Sequence, residues 1–134
     1  MFKYSCLIIF IMSSFGWTQK PIEFHKVTTY PNNEYRIKDV EYFKVNKDNK
    51  IERTRWVKFH YDKQIEEDIP YVNGESHGKF MSYYEDGSIM ETGNYKNGKR
   101  EGRWYEYYGD GGYRELLYKN HREVENKYFP PKSD

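Results

Sequence analysis

The 134-residue chain contains a single cysteine, Cys6, so everything after residue 19 is without a thiol. That excludes a disulfide framework, a cysteine-ligated metal and a cysteine nucleophile from the body of the protein. Long apolar runs are missing too. The stretch Cys6 to Met12 falls well short of the about 20 apolar residues a membrane-spanning helix needs, and a mean hydropathy of −1.11 argues against any transmembrane segment in the mature chain. Charge of one sign is also lacking. Lys and Arg number 22 against 21 Asp and Glu, and the first 19 residues hold only Lys3, so the remainder is balanced. A neutral chain has no broad positive field for nucleic acid, and no nucleic-acid partner is expected. Aliphatic side chains are scarce, because aromatics make up 19% of the chain against a hydrophobic total of 37%. Too few remain to build a helix bundle.

What the N-terminus does have is a charged start with Lys3, the apolar run, and small residues at Ser13, Ser14 and Gly16. This is the pattern of a secretory signal peptide occupying 1–19, with cleavage between 16 and 19 and a short helix in the apolar run. Cys6 precedes most of that run, so it does not stand where a lipid-bearing cysteine would. The expected destination is the periplasm, the cell envelope or the exterior. An exported chain of this size with no disulfide must be held by backbone pairing and ring packing.

The body of the chain repeats. Sliding the sequence by 24 residues aligns Trp56, Phe80 and Trp104; Phe59, Tyr83 and Tyr107; Asp62, Asp86 and Asp110; Ile65, Ile89 and Tyr113; and Glu67, Glu91 and Glu115. One all-aromatic column has a chance of only about 0.7% at this composition, and two share the register. Asp86-Gly87 and Asp110-Gly111 lie between ring-rich runs, which predicts a β-hairpin closed by a tight type I′ turn in each copy. The equivalent Asp62-Lys63 lacks the glycine and predicts a looser or differently built turn. Asn73-Gly74 and Asn97-Gly98 fall in longer connections, with Gly102 ending the second. Copies are assigned to 48–70, 71–94 and 95–118, with a part copy at 119–129 that stops the sheet before Pro130-Pro131 and the tail 130–134. Upstream, Ile22 to Tyr30 and Tyr35 to Val45 predict two strands around Pro31-Asn32-Asn33, so 20–47 is an N-terminal cap or a decayed repeat.

The run Tyr95-Lys96-Asn97-Gly98-Lys99-Arg100-Glu101-Gly102-Arg103-Trp104, preceded by Asp86-Gly87 and Gly93, resembles the MORN repeat, and more closely the exported bacterial MORN-variant group. The resemblance is carried by 71–118 and more thinly by 48–70. His121 and Glu125-Asn126 depart from it. It implies an all-β, extended antiparallel meander of repeated hairpins, which serves as a binding or scaffolding surface and not as an enzyme. One branch of that group is labelled antitoxin or immunity protein.

A two-residue Asp-Gly turn would set Tyr84 opposite Ile89, Ser82 opposite Glu91 and Phe80 opposite Gly93. Alternation then gives one face Trp56, His60, Phe80, Tyr84, Ile89, Trp104, Tyr108, Tyr113 and Leu117, and the other Val57, Phe59, Met81, Tyr83, Met90, Tyr105, Tyr107 and Leu116. The candidate binding surface is drawn from both: Tyr83, Tyr105, Tyr107, Trp56, Tyr84, Trp104 and Tyr108. The same register sets Glu106 against Glu115, a like-charge pair. The four histidines are scattered without ligand spacing, so no metal site and no cofactor are expected. No nucleophile elbow or phosphate-cradling loop is present, and nothing sets two carboxylates apart as a hydrolase needs. The expected partner is another protein. Aromatic hairpins also suit a carbohydrate or cell-wall glycan, and that is the alternative function.

Overall fold

In the computed structural model, which describes residues 21–133, the signal segment lies outside the described residues. Among these there is no helix, and ten strands form one antiparallel sheet. β1 (Glu23–Tyr30), β2 (Asn33–Val45), β3 (Ile51–Phe59) and β4 (Ile65–Val72) are followed by β5 (Glu75–Ser76), β6 (Gly78–Tyr83), β7 (Ile89–Lys96), β8 (Lys99–Tyr107), β9 (Tyr113–Lys119) and β10 (Arg122–Phe129). The order is that of the chain, β1-β2-β3-β4-β6-β7-β8-β9-β10, with β5 paired to β4. The all-β meander expected from the sequence is therefore the fold. β5 and β6 are one strand broken where it passes Pro70, which has no N–H to donate; only the His77 N–H reaches back to the Pro70 carbonyl, at 3.0 Å.

Pairing recurs at the 24-residue interval. Glu67↔Ser82, Asp68↔Met81, Tyr71↔Ser76 and Val72↔Glu75 have counterparts in Glu91↔Glu106, Thr92↔Tyr105, Tyr95↔Arg100 and Lys96↔Lys99.

The turns differ from expectation in an instructive way. At Asp86-Gly87 the Gly87 N–H donates to the Tyr84 carbonyl and the Tyr84 N–H to the Ser88 carbonyl, both at 2.9 Å. Of the loop residues only Gly87 has positive φ, 82°. This is a three-residue loop, a type I turn over Glu85-Asp86 followed by a left-handed residue, and not a two-residue type I′ turn. Gly111, with φ 89°, closes the same loop against Tyr108. Lys63, with φ 81° and its N–H 3.0 Å from the His60 carbonyl, builds it without glycine, so the first turn is not looser than the others. The aspartate column has a local cause: Asp62, Asp86 and Asp110 each accept, on Oδ1, the N–H two residues on, at 3.1, 2.8 and 2.9 Å.

The type I′ turns lie at the opposite edge of the sheet. Asn73-Gly74 (φ 52° and 82°), Asn97-Gly98 (50° and 74°) and Asn120-His121 (51° and 66°) have both central residues left-handed. The supposed longer connections are thus the tightest hairpins in the molecule. Each end of the sheet is also stitched across hairpins. Tyr30 Oη, His60 Nε2 and Tyr84 Oη bond the carbonyls of Phe59, Tyr83 and Tyr107 at 3.2, 2.8 and 2.6 Å. At the other edge the Gly98 and His121 N–H groups reach the Ser76 and Arg100 carbonyls at 2.9 and 3.1 Å.

The main core lies on one face. Trp104, with no exposed surface, packs with Phe80 and Leu116 and against Ile69, Tyr95 and Tyr118. Gly93 makes this close approach feasible, since a Cβ there would fall 2.1 Å from Cδ2 of the Trp104 ring.

Candidate binding surfaces

The extra loop residue decides which side chains share a face, because a one-residue slip exchanges every position. In β7 the slip is absorbed at once: Tyr83, and not Tyr84, stands opposite Ile89, and the register shift that follows restores Ser82↔Glu91 and Phe80↔Gly93 as expected. In β9 nothing absorbs it. Leu116 sits opposite Trp104, Glu115 opposite Tyr105 and Tyr113 opposite Tyr107. Tyr113, Leu117 and Ile89 therefore belong with Tyr83, Tyr105 and Tyr107, whereas Leu116 belongs with Trp104. The like-charge pair expected at Glu106 and Glu115 does not exist. Glu106 faces Arg114, and Glu115 pairs with Arg103.

One face is closed over its rings. Phe80, Tyr95 and Tyr118 surround Trp104 with centroids 5.3, 5.0 and 6.1 Å away. The Arg100 guanidinium covers the Trp104 ring at 4.1 Å while its Nη1 bonds Glu91 at 2.6 Å. Trp104 is thus core and cannot be a contact residue, which corrects its place in the expected surface. Trp56, in the same column, is half-buried under Lys58 at 4.8 Å and Arg53 at 5.9 Å. Tyr84 and Tyr108 are half-buried at the edge of this face, their hydroxyls committed to the Tyr107 carbonyl and to Glu106 at 2.6 and 3.3 Å.

The opposite face is open. Along one line across the strands lie the pairs Phe59↔Ile65, Tyr83↔Ile89 and Tyr107↔Tyr113, the last continued by Phe129. Tyr105, Tyr107 and Tyr113 have ring centroids 6.0 to 6.5 Å apart, and Tyr113 stacks on Phe129 at 4.6 Å. Ile65, Ile89 and Tyr107 remain 37, 38 and 37% exposed. Beside the stripe run ion pairs of both signs, Arg55 with Asp68 at 2.7 Å, Arg103 with Glu115, and Lys127 with Glu125 at 2.7 Å. Hydrogen bonding and charge from Asp68 hold the Arg55 pKa above its ordinary value against the opposing effect of burial.

No family model matches this chain, and no curated protein matches it. The assignment of a surface therefore rests on geometry. Three of the expected contact residues, Tyr83, Tyr105 and Tyr107, are brought together on the open face. Ile65, Ile89, Tyr113 and Phe129 join them. Their signal is in the sequence, since Ile65, Ile89 and Tyr113 form one of the 24-residue columns, but an Asp-Gly pair predicts a loop one residue shorter than the one formed. His77 is half-buried and its Nδ1 lies 3.1 Å from the Asn97 side-chain oxygen. Among the described residues no group of His, Cys, Asp and Glu is arranged to hold a metal ion.

Proposed function

We propose that this chain is an exported, MORN-like repeat protein that works by binding another protein through its open tyrosine face, in the manner of a scaffold or an antitoxin-type module. The observation that carries this reading is the stripe from Phe59 to Phe129, in which Ile65, Ile89 and Tyr107 stay exposed beside half-buried rings, whereas on the other face Phe80 and Trp104 are buried. Tyrosine gives a large contact area with few torsions to freeze, which suits a protein interface. The ion pairs beside the stripe carry both signs, as a protein surface would require and an anionic polymer would not. The pairing that recurs every 24 residues supports the repeat reading. The test uses the purified mature chain and a double variant, Tyr83→Ser with Tyr107→Ser, as affinity baits. A protein retained by the first and lost by the second, at unchanged melting temperature, supports the reading. Retention on purified wall glycan with no co-purifying protein would replace it with carbohydrate binding.

A further inference from the structure

The two outer strands of the sheet are built differently. β10 has the marks of a strand that ends a sheet. Arg122, Glu123, Glu125 and Lys127 are charged, the register breaks between Glu123 and Glu125, and Pro130-Pro131, which cannot donate, follow. β1 has none of these guards. Its only charged residues are Glu23 and Lys26, it holds no proline, and it is rich in β-branched and aromatic side chains. Its register with β2 is unbroken from Glu23↔Lys44 to Thr28↔Asp39, and beyond that the surplus residues lie in β2. Among the described residues nothing pairs with its outer side.

The backbone groups on that side can be named. The Val45 N–H donates to the Ile22 carbonyl at 2.8 Å, so Ile22 and Val45 form a hydrogen-bonded pair. Such pairs alternate with non-hydrogen-bonded ones along antiparallel strands. Phe24, Lys26 and Thr28 therefore turn their N–H and carbonyl groups to β2, and Glu23, His25, Val27 and Thr29 turn theirs away from the sheet. A regular row of this kind is a template for one more strand.

We propose that β1 pairs antiparallel with β1 of a second copy, joining two sheets edge to edge in a two-fold dimer. Symmetry and charge select this occupant and its register. Because the two pair types alternate, a two-fold axis between identical antiparallel strands must pass between a residue and its own copy. Centred on Lys26, the pairing opposes two lysines. Centred on His25 it runs Thr28, Thr29 and Tyr30 past the end of the facing strand, and centred on Thr28 it does the same to Glu23, Phe24 and His25. Centred on Val27 it opposes no like charges and matches the strand from Phe24 to Tyr30. His25 then faces Thr29, Lys26 faces Thr28, and Phe24 faces Tyr30 of the second copy. Every outward N–H and carbonyl from His25 to Thr29 finds a partner. Phe24 already stacks on Phe43 at 5.3 Å and Tyr30 meets Tyr61 at 5.4 Å, so rings line both ends of the interface. The guarded β10 edge stops growth at two copies. The β1 edge is apart from the tyrosine stripe, and the dimer does not rest on the protein-binding reading.

The experiment is sedimentation velocity on the folded mature chain between about 1 μM and about 0.5 mM, repeated on Thr28→Lys, Val27→Pro and the double variant Tyr83→Ser with Tyr107→Ser. The parent should pass from monomer to dimer over this range and go no further. Thr28→Lys sets a lysine opposite Lys26 at two symmetric places in the dimer, yet opposite Asp39 in its own sheet. It should weaken the dimer about tenfold or more without lowering the melting temperature. Val27→Pro removes an outward donor and should abolish the dimer. The stripe variant should dimerise as the parent does. Residues 20–134 hold no thiol, so a single cysteine can read the register. Val27→Cys should form an intermolecular disulfide on mild oxidation, whereas Glu23→Cys, about 27 Å from its counterpart in this register, should not. A parent that stays monomeric at about 0.5 mM, a dimer that survives intact in Thr28→Lys or in a folded Val27→Pro, a dimer lost in the stripe variant, or faster cross-linking of Glu23→Cys than of Val27→Cys would each overturn the proposal.

Discussion

Trp56 and Trp104 occupy the same column of the 24-residue pattern, yet the two halves of the sheet treat them differently. Around Trp104 the cross-strand neighbours are Gly93 and Leu116, and the indole sinks until nothing of it is exposed. Around Trp56 they are Ile69 and Glu41, and Glu41 brings with it Arg53 and Lys26 as ion-pair partners. The ring stays half-buried beneath cations, and the N-terminal half keeps only Val40 and Val57 as buried apolar side chains, on the opposite face. A single position, Gly or Glu beside the indole, separates a closed aromatic core from a surface held by ion pairs. Such exposed pairs contribute little individually, so stability is concentrated in β6 to β9.

The widest separation between the halves should come from truncating the two indoles. Trp104→Ala should cost about 3–5 kcal/mol in urea unfolding, as for a fully buried large ring, whereas Trp56→Ala should cost only about 1–2 kcal/mol. Equal losses would break the comparison. Gly93→Ala places a methyl where the Trp104 ring lies, and should cost about 1–3 kcal/mol by overpacking. Its effect should largely vanish in a Trp104→Ala background.

The turns sharpen the same contrast. Gly87→Val forces a β-branched residue to a φ of 82°, and should destabilise the chain by about 1–3 kcal/mol. In the other half, Lys63→Gly relieves a left-handed lysine and should raise stability by about 1 kcal/mol. A fall in melting temperature for Lys63→Gly would mean that the lysine side chain compensates for its backbone.

The smallest effect expected is on pH dependence. Glu91 binds its proton more tightly in the folded chain than the ordinary value of 4.5. Stability from this group is therefore gained as pH falls through the folded pKa, and the gain is complete below the unfolded value. Denaturation curves of the parent and Glu91→Gln, compared from neutral pH down past 4.5, should show the parent improving relative to the variant. A parent that loses ground over that range would reverse the sign.

Much of the fold was legible in the residues. Asn-Gly and Asp-Gly pairs mark reversals because they accept left-handed backbone, and the aromatic columns mark strands that share neighbours. Loop length was not legible. Gly109-Asp110-Gly111 fits a two-residue or a three-residue loop equally well, and the choice exchanges the faces of Tyr113, Glu115, Leu116 and Leu117. Nor could periodicity show that Trp104 is buried while Tyr107 is open, since both recur with the same partners. That distinction depends on Gly93 yielding room on one side of the sheet, a fact of packing and not of pattern.

The account depends most on the difference between the two faces, and tyrosine iodination of the native chain read by mass spectrometry tests it directly. Tyr107, 37% exposed on the open stripe, should react early, whereas Tyr95 and Tyr118, partly buried against Trp104, should react more slowly in the native chain and catch up once it is unfolded. Labelling of Tyr95 and Tyr118 at the rate of Tyr107 would contradict the division into a closed and an open face.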